Sequence, residues 1–229
     1  MIEPSPETRP IPSLAPGALT EKTLTYGLKF LSDCDSDLAQ ILVQVGSPPM
    51  WALEPGFPTL VRLILEQQVS LASAKAAYKR LLYAVSPLTP DRFLQLDHDT
   101  LKSIGFSRQK TAYGRHLAQS IVEGQLNLAT LSAMDDATVR SELMKIKGIG
   151  PWTVDIYLLR ALRRPDIWPR GDLALAVATQ MVKGLALRPT PEELDGISAG
   201  WQPWRAVAAR LLWHYYLSIH GRGNARGLR

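Results

Sequence analysis

The stretch Lys145-Ile146-Lys147-Gly148-Ile149-Gly150-Pro151-Trp152-Thr153 decides how this chain is read, together with Asp172 about twenty residues on. Two glycines flank an isoleucine between one helical pattern, residues 136–146, and another that begins at Pro151. Glycine tolerates positive φ and lets another backbone come close, and proline suits the first turn of a helix. The expected structure is a helix, a tight hairpin and a second helix whose first amides point outward. Such amides, at the positive end of a helix dipole, form an anion site. Lys145 and Lys147 beside the turn make phosphate the expected anion.

The composition agrees with a phosphate-bearing partner. The chain of 229 residues carries a net charge of +5 and a pI near 9.4. That balance favours an acidic partner, of which nucleic acid is the commonest. Hydrophobic residues make up 46%, enough for a sizeable core in one or two compact domains. One cysteine, Cys34, excludes an intrachain disulfide framework and a four-cysteine cluster. No apolar run approaches membrane-spanning length, and no charged start leads into an apolar core. The expectation is a soluble protein, cytoplasmic and nucleoid-associated in a bacterium or nuclear in a eukaryote.

Outward from the hairpin, helical spacing dominates. Residues 1–19 hold Pro4, Pro6, Pro10, Pro12 and Pro16 and read as a flexible leader. Leu38, Ile41, Leu42 and Val45 form one apolar stripe, capped by Asp35 or Ser36 and stopped at Gly46-Ser47-Pro48-Pro49. Leu60, Leu63 and Ile64 mark a helix that runs into Gln67-Gln68, and Ser70 opens the next. Thr89-Pro90-Asp91 is a cap followed by proline at the first helical position. Gly105 and Gly124 end two more helices. Asp135 caps the helix entering the hairpin, Asp172 precedes the apolar run 173–182, and Thr190-Pro191-Glu192-Glu193 is a capping box. The last long helix covers about residues 203–219. No convincing strand pattern appears, so the predicted fold is all-α.

The hairpin, the run Trp168-Pro169-Arg170-Gly171-Asp172 and the upstream Gln67-Gln68-Val69-Ser70 resemble the helix-hairpin-helix (HhH-GPD) DNA glycosylase superfamily. Within it they are most similar to the alkylbase glycosylases of the DNA-3-methyladenine glycosylase II type. The resemblance covers about residues 30–220. It implies two helical lobes with the active cleft between them: 20–57 plus 165–229 outside, and 58–164 inside with the helix-hairpin-helix. It also implies a monomer acting on double-stranded DNA that contains a damaged base.

The resemblance assigns chemistry residue by residue. Local pattern makes Asp172 a helix N-cap; the resemblance makes it catalytic as well. Cleaving a base from deoxyribose develops positive charge on the sugar, which a nearby carboxylate stabilises. Members that also cut the strand carry a lysine where this chain has Trp152, so hydrolysis without lyase chemistry is expected. Trp152 and Trp213 would line the base pocket, suiting a cationic methylated purine. Ile156 stands where relatives place a tyrosine one turn after Trp152. Gln67, Gln68 and Ser70 would form the loop entering the minor groove, with Gln68 filling the gap left by the extruded nucleotide. Lys147, Gly148, Gly150 and Thr153 would bind phosphates. Backbone carbonyls of Met144, Ile146 and Ile149 would hold a structural Na+ or K+, with no cofactor needed for catalysis and no iron–sulfur cluster. His98, His116, His214 and His220 read as surface or packing residues. Lys102, Arg108, Lys110 and Arg115 read first as a solvated basic face.

Three functions compete. The first is a monofunctional glycosylase removing alkylated bases of the 3-methyladenine and 7-methylguanine class to leave an abasic site in base excision repair. A uracil or deaminated-base glycosylase shares its chemistry. A non-catalytic DNA clamp would need neither Asp172 nor the Gln67-Gln68 turn.

Overall fold

The computed structural model describes residues 17–226, with side chains as far as His220. Most of the proposed 1–19 leader therefore lies outside the described residues. Its end does not: Leu19 is buried and its amide donates to the Arg163 carbonyl at 2.6 Å, so the packed chain begins before residue 20. Every regular element among the described residues is helical, and none is long and apolar enough to cross a membrane.

The first helices are α1 (Glu21–Cys34), α2 (Ser36–Val45), α3 (Phe57–Glu66) and α4 (Leu71–Ala84). Two short helices follow, α5 (Pro90–Gln95) and α6 (His98–Ile104), and then the longer α7 (Arg108–Val122). The hairpin joins α8 (Asp136–Met144) to α9 (Pro151–Arg160), and the chain ends in α10 (Leu173–Val182), α11 (Pro191–Ala199) and α12 (Arg205–Arg226). The caps fall where the side chains place them. Asp35, Ser70, Thr89, Asp135, Asp172 and Thr190 each accept an amide of the first turn. Each such cap stabilises its helix by about 1 kcal/mol.

Helix α1 has no counterpart in the periodicity reading above. Its stripe of Leu24, Gly27, Leu28 and Leu31 is buried, but a glycine interrupts it and the capping box pairs Thr20 with Thr23, not with Glu or Gln. That glycine is a contact: a Cβ on Gly27 would lie 2.8 Å from Cε3 of Trp204. Helix α12 also runs seven residues past Ile219, where the sequence reading stopped it.

Packing divides the helices into two sets. Helices α1 and α2 pack with α10, α11 and α12, while α3 to α9 pack on one another. Arg210 ties the sets together. It is fully buried on α12, and its guanidinium donates to the carbonyls of Met50 (3.0 Å), Ala206 (2.9 Å) and Leu159 (2.7 Å). Burial, and secondarily Arg160, pushes its pKa down to about 9, which still leaves it charged at neutral pH. The end of α9, the loop before α3 and the middle of α12 are thereby fixed to one another.

Candidate active site and nucleic-acid interface

The hairpin occupies residues 145–150. The Ile149 amide donates to the Ile146 carbonyl at 3.0 Å and closes the turn. Gly148 has φ +96, and a Cβ there would sit 2.1 Å from Cγ of Tyr113, so the turn requires glycine twice over. Gly150 differs. Its φ is −94 in extended backbone, and a Cβ would meet nothing within 4 Å. Gly150 therefore serves close approach and not positive φ: its small size leaves open space for a ligand. As N-cap of α9 it supplies no side-chain cap, and Pro151 follows. The amides of Gly148 and Gly150 donate to no group among the described residues.

Two supports hold the hairpin. Gln67 donates from Nε2 to the Gly148 carbonyl (2.8 Å) and to Oγ1 of Thr153 (3.0 Å). On the other side, Nδ1 of His116 on α7 accepts the Lys147 amide at 3.2 Å. His116 is thus more than a packing residue. The Thr153 hydroxyl is thus buried and engaged by Gln67, and the Gln67 amide nitrogen is taken up by the hairpin and Thr153. Both side chains brace the hairpin from inside. The two lysines also separate, because Lys145 pairs with Glu142 at 2.6 Å whereas Lys147 lines the cleft. Lys110 and Arg115 are not a solvated face. Lys110 donates to the Leu65 carbonyl at 2.7 Å, where burial pushes its amine down, and Arg115 donates to the carbonyls of Leu94 and Leu96.

Residues 67–70 make the turn between α3 and α4. Gln68 sits there at φ +55, a left-handed conformation rare for a side-chain-bearing residue. Ser70 caps α4. Val69 and Leu71 stay exposed beside Gln68, and Leu173 is 60% exposed across the cleft mouth. An apolar rim of this kind marks a contact surface.

Asp172 is placed by a chain of anchors. Arg205 grips Asp166 with Nε and Nη2, both at 2.9 Å. Asp155, buried on α9, pairs with Arg140 and accepts the Arg170 amide at 3.3 Å. Burial pushes the Asp155 carboxyl up despite Arg140. With residues 166–170 so held, Asp172 begins α10. Its Oδ1 accepts the Leu175 amide (2.9 Å) and Nε1 of Trp213 (3.1 Å), and its Oδ2 accepts Nε1 of Trp152 (2.9 Å). The capping role and a placement inside the cleft coexist in one carboxylate.

All these groups face a cleft of about 1430 Å³, lined by the 67–70 turn, the hairpin, Trp152, Ile156, Asp172 and Trp213. The structure brings together every site residue named from the sequence, Thr153 included as a brace. It adds Trp51, Glu66 and Arg160 to the lining. Glu66 and Arg160 fall on helix faces that periodicity assigns to packing, and Trp51 in a loop carries no pattern, so the sequence offered little signal for them. Among the described residues no group of His, Cys, Asp or Glu could hold a metal ion. The Ile146 carbonyl accepts the Ile149 amide, while those of Met144 and Ile149 accept nothing from the loop.

Residues 61–203 match the HhH-GPD superfamily base excision DNA repair protein family. The chain belongs to this superfamily. YfjP of Bacillus subtilis is 30% identical over 162 residues, covering 67% of this chain and 56% of that protein. The alkylbase DNA glycosidase-like protein mag2 of Schizosaccharomyces pombe is 27% identical over 202 residues, covering 85% and 94%. The chain thus spans little more than half the length of YfjP but nearly all of mag2. In backbone it is similar to the S. pombe 3-methyladenine DNA glycosylase Mag1, solved in complex with abasic DNA, with a TM-score of 0.79 at 23% identity over 85% of this chain and 97% of that one. In this chain α9 and its connection to α10 lead from the hairpin to Asp172, and both ends line the same cleft.

Proposed function

We propose that this protein is a monofunctional DNA glycosylase that hydrolyses the N-glycosidic bond of alkylated bases in duplex DNA and leaves an abasic site. One observation carries the reading: a carboxylate inside a cleft of about 1430 Å³, oriented by three N–H donors, next to a hairpin with free amides. The names of relatives such as mag2 support the alkylated-base class, and the protein acts as a monomer.

The hairpin amides and Lys147 take backbone phosphates beside the lesion. Gln68 enters the stack where the nucleotide leaves, and the exposed Val69, Leu71 and Leu173 cover the opened minor groove. The extruded base enters between Trp152 and Trp213, whose N–H edges are turned to Asp172. As the bond to the base lengthens, positive charge grows on the sugar, and Asp172 stabilises it and orients the attacking water. A Na+ or K+ on the carbonyls of Met144, Ile146 and Ile149 would add positive charge beside a phosphate. The place of a Schiff-base lysine is held by Trp152, so the product is an intact strand with a missing base.

The test is incubation with methylated and with uracil-containing duplexes, followed by alkali. Alkali-dependent breaks in methylated DNA are expected. Breaks before alkali would contradict the absence of lyase chemistry, and breaks confined to the uracil duplex would move the substrate to deaminated bases.

A further inference from the structure

The far end of the cleft carries charges that the mechanism above does not use. Trp152, Ile156 and Arg160 lie at i, i+4 and i+8 on α9 and all line the cleft, so they form a stripe leading inward from Asp172. Helix side chains lean toward the N-terminus, which turns the end of Arg160 back over Ile156. Arg160 is fixed there by Nε, which donates to the Trp51 carbonyl at 3.0 Å. Its Nη1 lies 3.8 Å from Oε2 of Glu66, an ion pair too long for a hydrogen bond. Glu66 in turn accepts Nε of Arg62 at 2.9 Å.

The hydrogen-bonding capacity of this cluster is unequally spent. Glu66 is shared between two guanidiniums and only 7% exposed. Arg160, 16% exposed into the cleft, has both amino groups without a hydrogen-bond partner among the described residues. These amino groups are not sealed off, so a ligand acceptor in the cleft can reach them, and a polar contact made away from bulk water gains affinity and selectivity. Burial also holds the Arg160 pKa below its usual value.

Resting on the glycosylase reading, we propose that Arg160 is a specificity-determining residue that donates to a carbonyl oxygen on the far edge of the extruded base. Glu66 and the Trp51 carbonyl hold the guanidinium in place. The substrate class is the oxopurines, such as 7-methylguanine and hypoxanthine, whose edge presents an oxygen to the donor. The amino group of 3-methyladenine at that position sets N–H against N–H. The tryptophans accept either ring; the guanidinium discriminates between them.

The experiment uses DNA treated with a methylating agent, which holds 7-methylguanine and 3-methyladenine in one substrate. Release of each base is measured for the parent protein and for Arg160→Gln, after subtracting spontaneous loss. Loss of a charged donor from a buried polar contact is expected to cut 7-methylguanine release about tenfold or more, with 3-methyladenine release changed no more than about threefold. Arg160→Lys, which keeps the charge, carries the same comparison if Arg160→Gln melts below the assay temperature, with a smaller drop in 7-methylguanine alone. Equal losses for both bases would make Arg160 a structural residue and overturn the proposal, as would no change in either. Release of neither base by the parent protein would overturn the glycosylase reading itself.

Discussion

Two helix N-termini face the same cleft and are finished in opposite ways. At α9 the cap is Gly150, which offers no side chain, and the amides around it are left open. At α10 the cap is Asp172, whose carboxylate closes its own helix and is gripped by two indoles. An open N-terminus receives an anion from outside, whereas a capped one supplies an anion of its own. Placed on either side of α9, the first end would hold a phosphate beside the lesion and the second would face the sugar of the extruded nucleotide. On the proposed function, the difference teaches that local helix chemistry can divide binding from catalysis.

Substitutions can break this division. Asp172→Ala removes carboxylate and cap together, so base release should fall on the order of 10³-fold while thermal melting reports about 1 kcal/mol of lost stability. Arg210→Met strands the Met50 and Leu159 carbonyls between the helix sets and should cost about 3 kcal/mol in denaturant unfolding. A loss below about 1 kcal/mol would show that Arg210 does not tie them together. Gly148→Ala forces a Cβ onto Tyr113 at positive φ, and duplex affinity should drop at least tenfold with a loss of about 2 kcal/mol in stability. Gln67→Ala frees the hairpin from the 67–70 turn, with a roughly tenfold weaker Kd and little change in melting. Smallest is the lysine pair. Lys147→Ala should weaken binding several-fold and reduce the salt slope by about 1, while Lys145→Ala, already paired with Glu142, should leave both nearly unchanged.

The capped end of the comparison was legible in the sequence because caps are short-range. Asp172, Thr190, Asp135 and Ser70 announce helices by one side chain and the run that follows it. The hairpin was legible for the same reason, down to Gly148 and Pro151. What the sequence hid depends on partners far along the chain. Gln67 reads as a loop polar residue until Gly148 and Thr153 are seen beside it, and His116 until the Lys147 amide points at it. Arg210 sits in an apolar helix whose pattern gives no hint that it spans to Met50 and Leu159. Helix α1 escaped because Gly27 breaks its stripe, and only Trp204, far along the chain, explains that glycine. Glu66 and Arg160 face the cleft from positions that local periodicity cannot separate from packing.

The most direct measurement pairs two quantities on Asp172→Asn, which keeps the side-chain volume and a capping oxygen. Single-turnover release of a methylated base and Kd for an abasic duplex are determined on the same preparation. The predicted result is release slowed on the order of 10³-fold with Kd within about twofold of the parent. Release at the parental rate would contradict the assignment of hydrolysis to Asp172, and affinity lost in step with rate would show that the two helix ends do not divide the work.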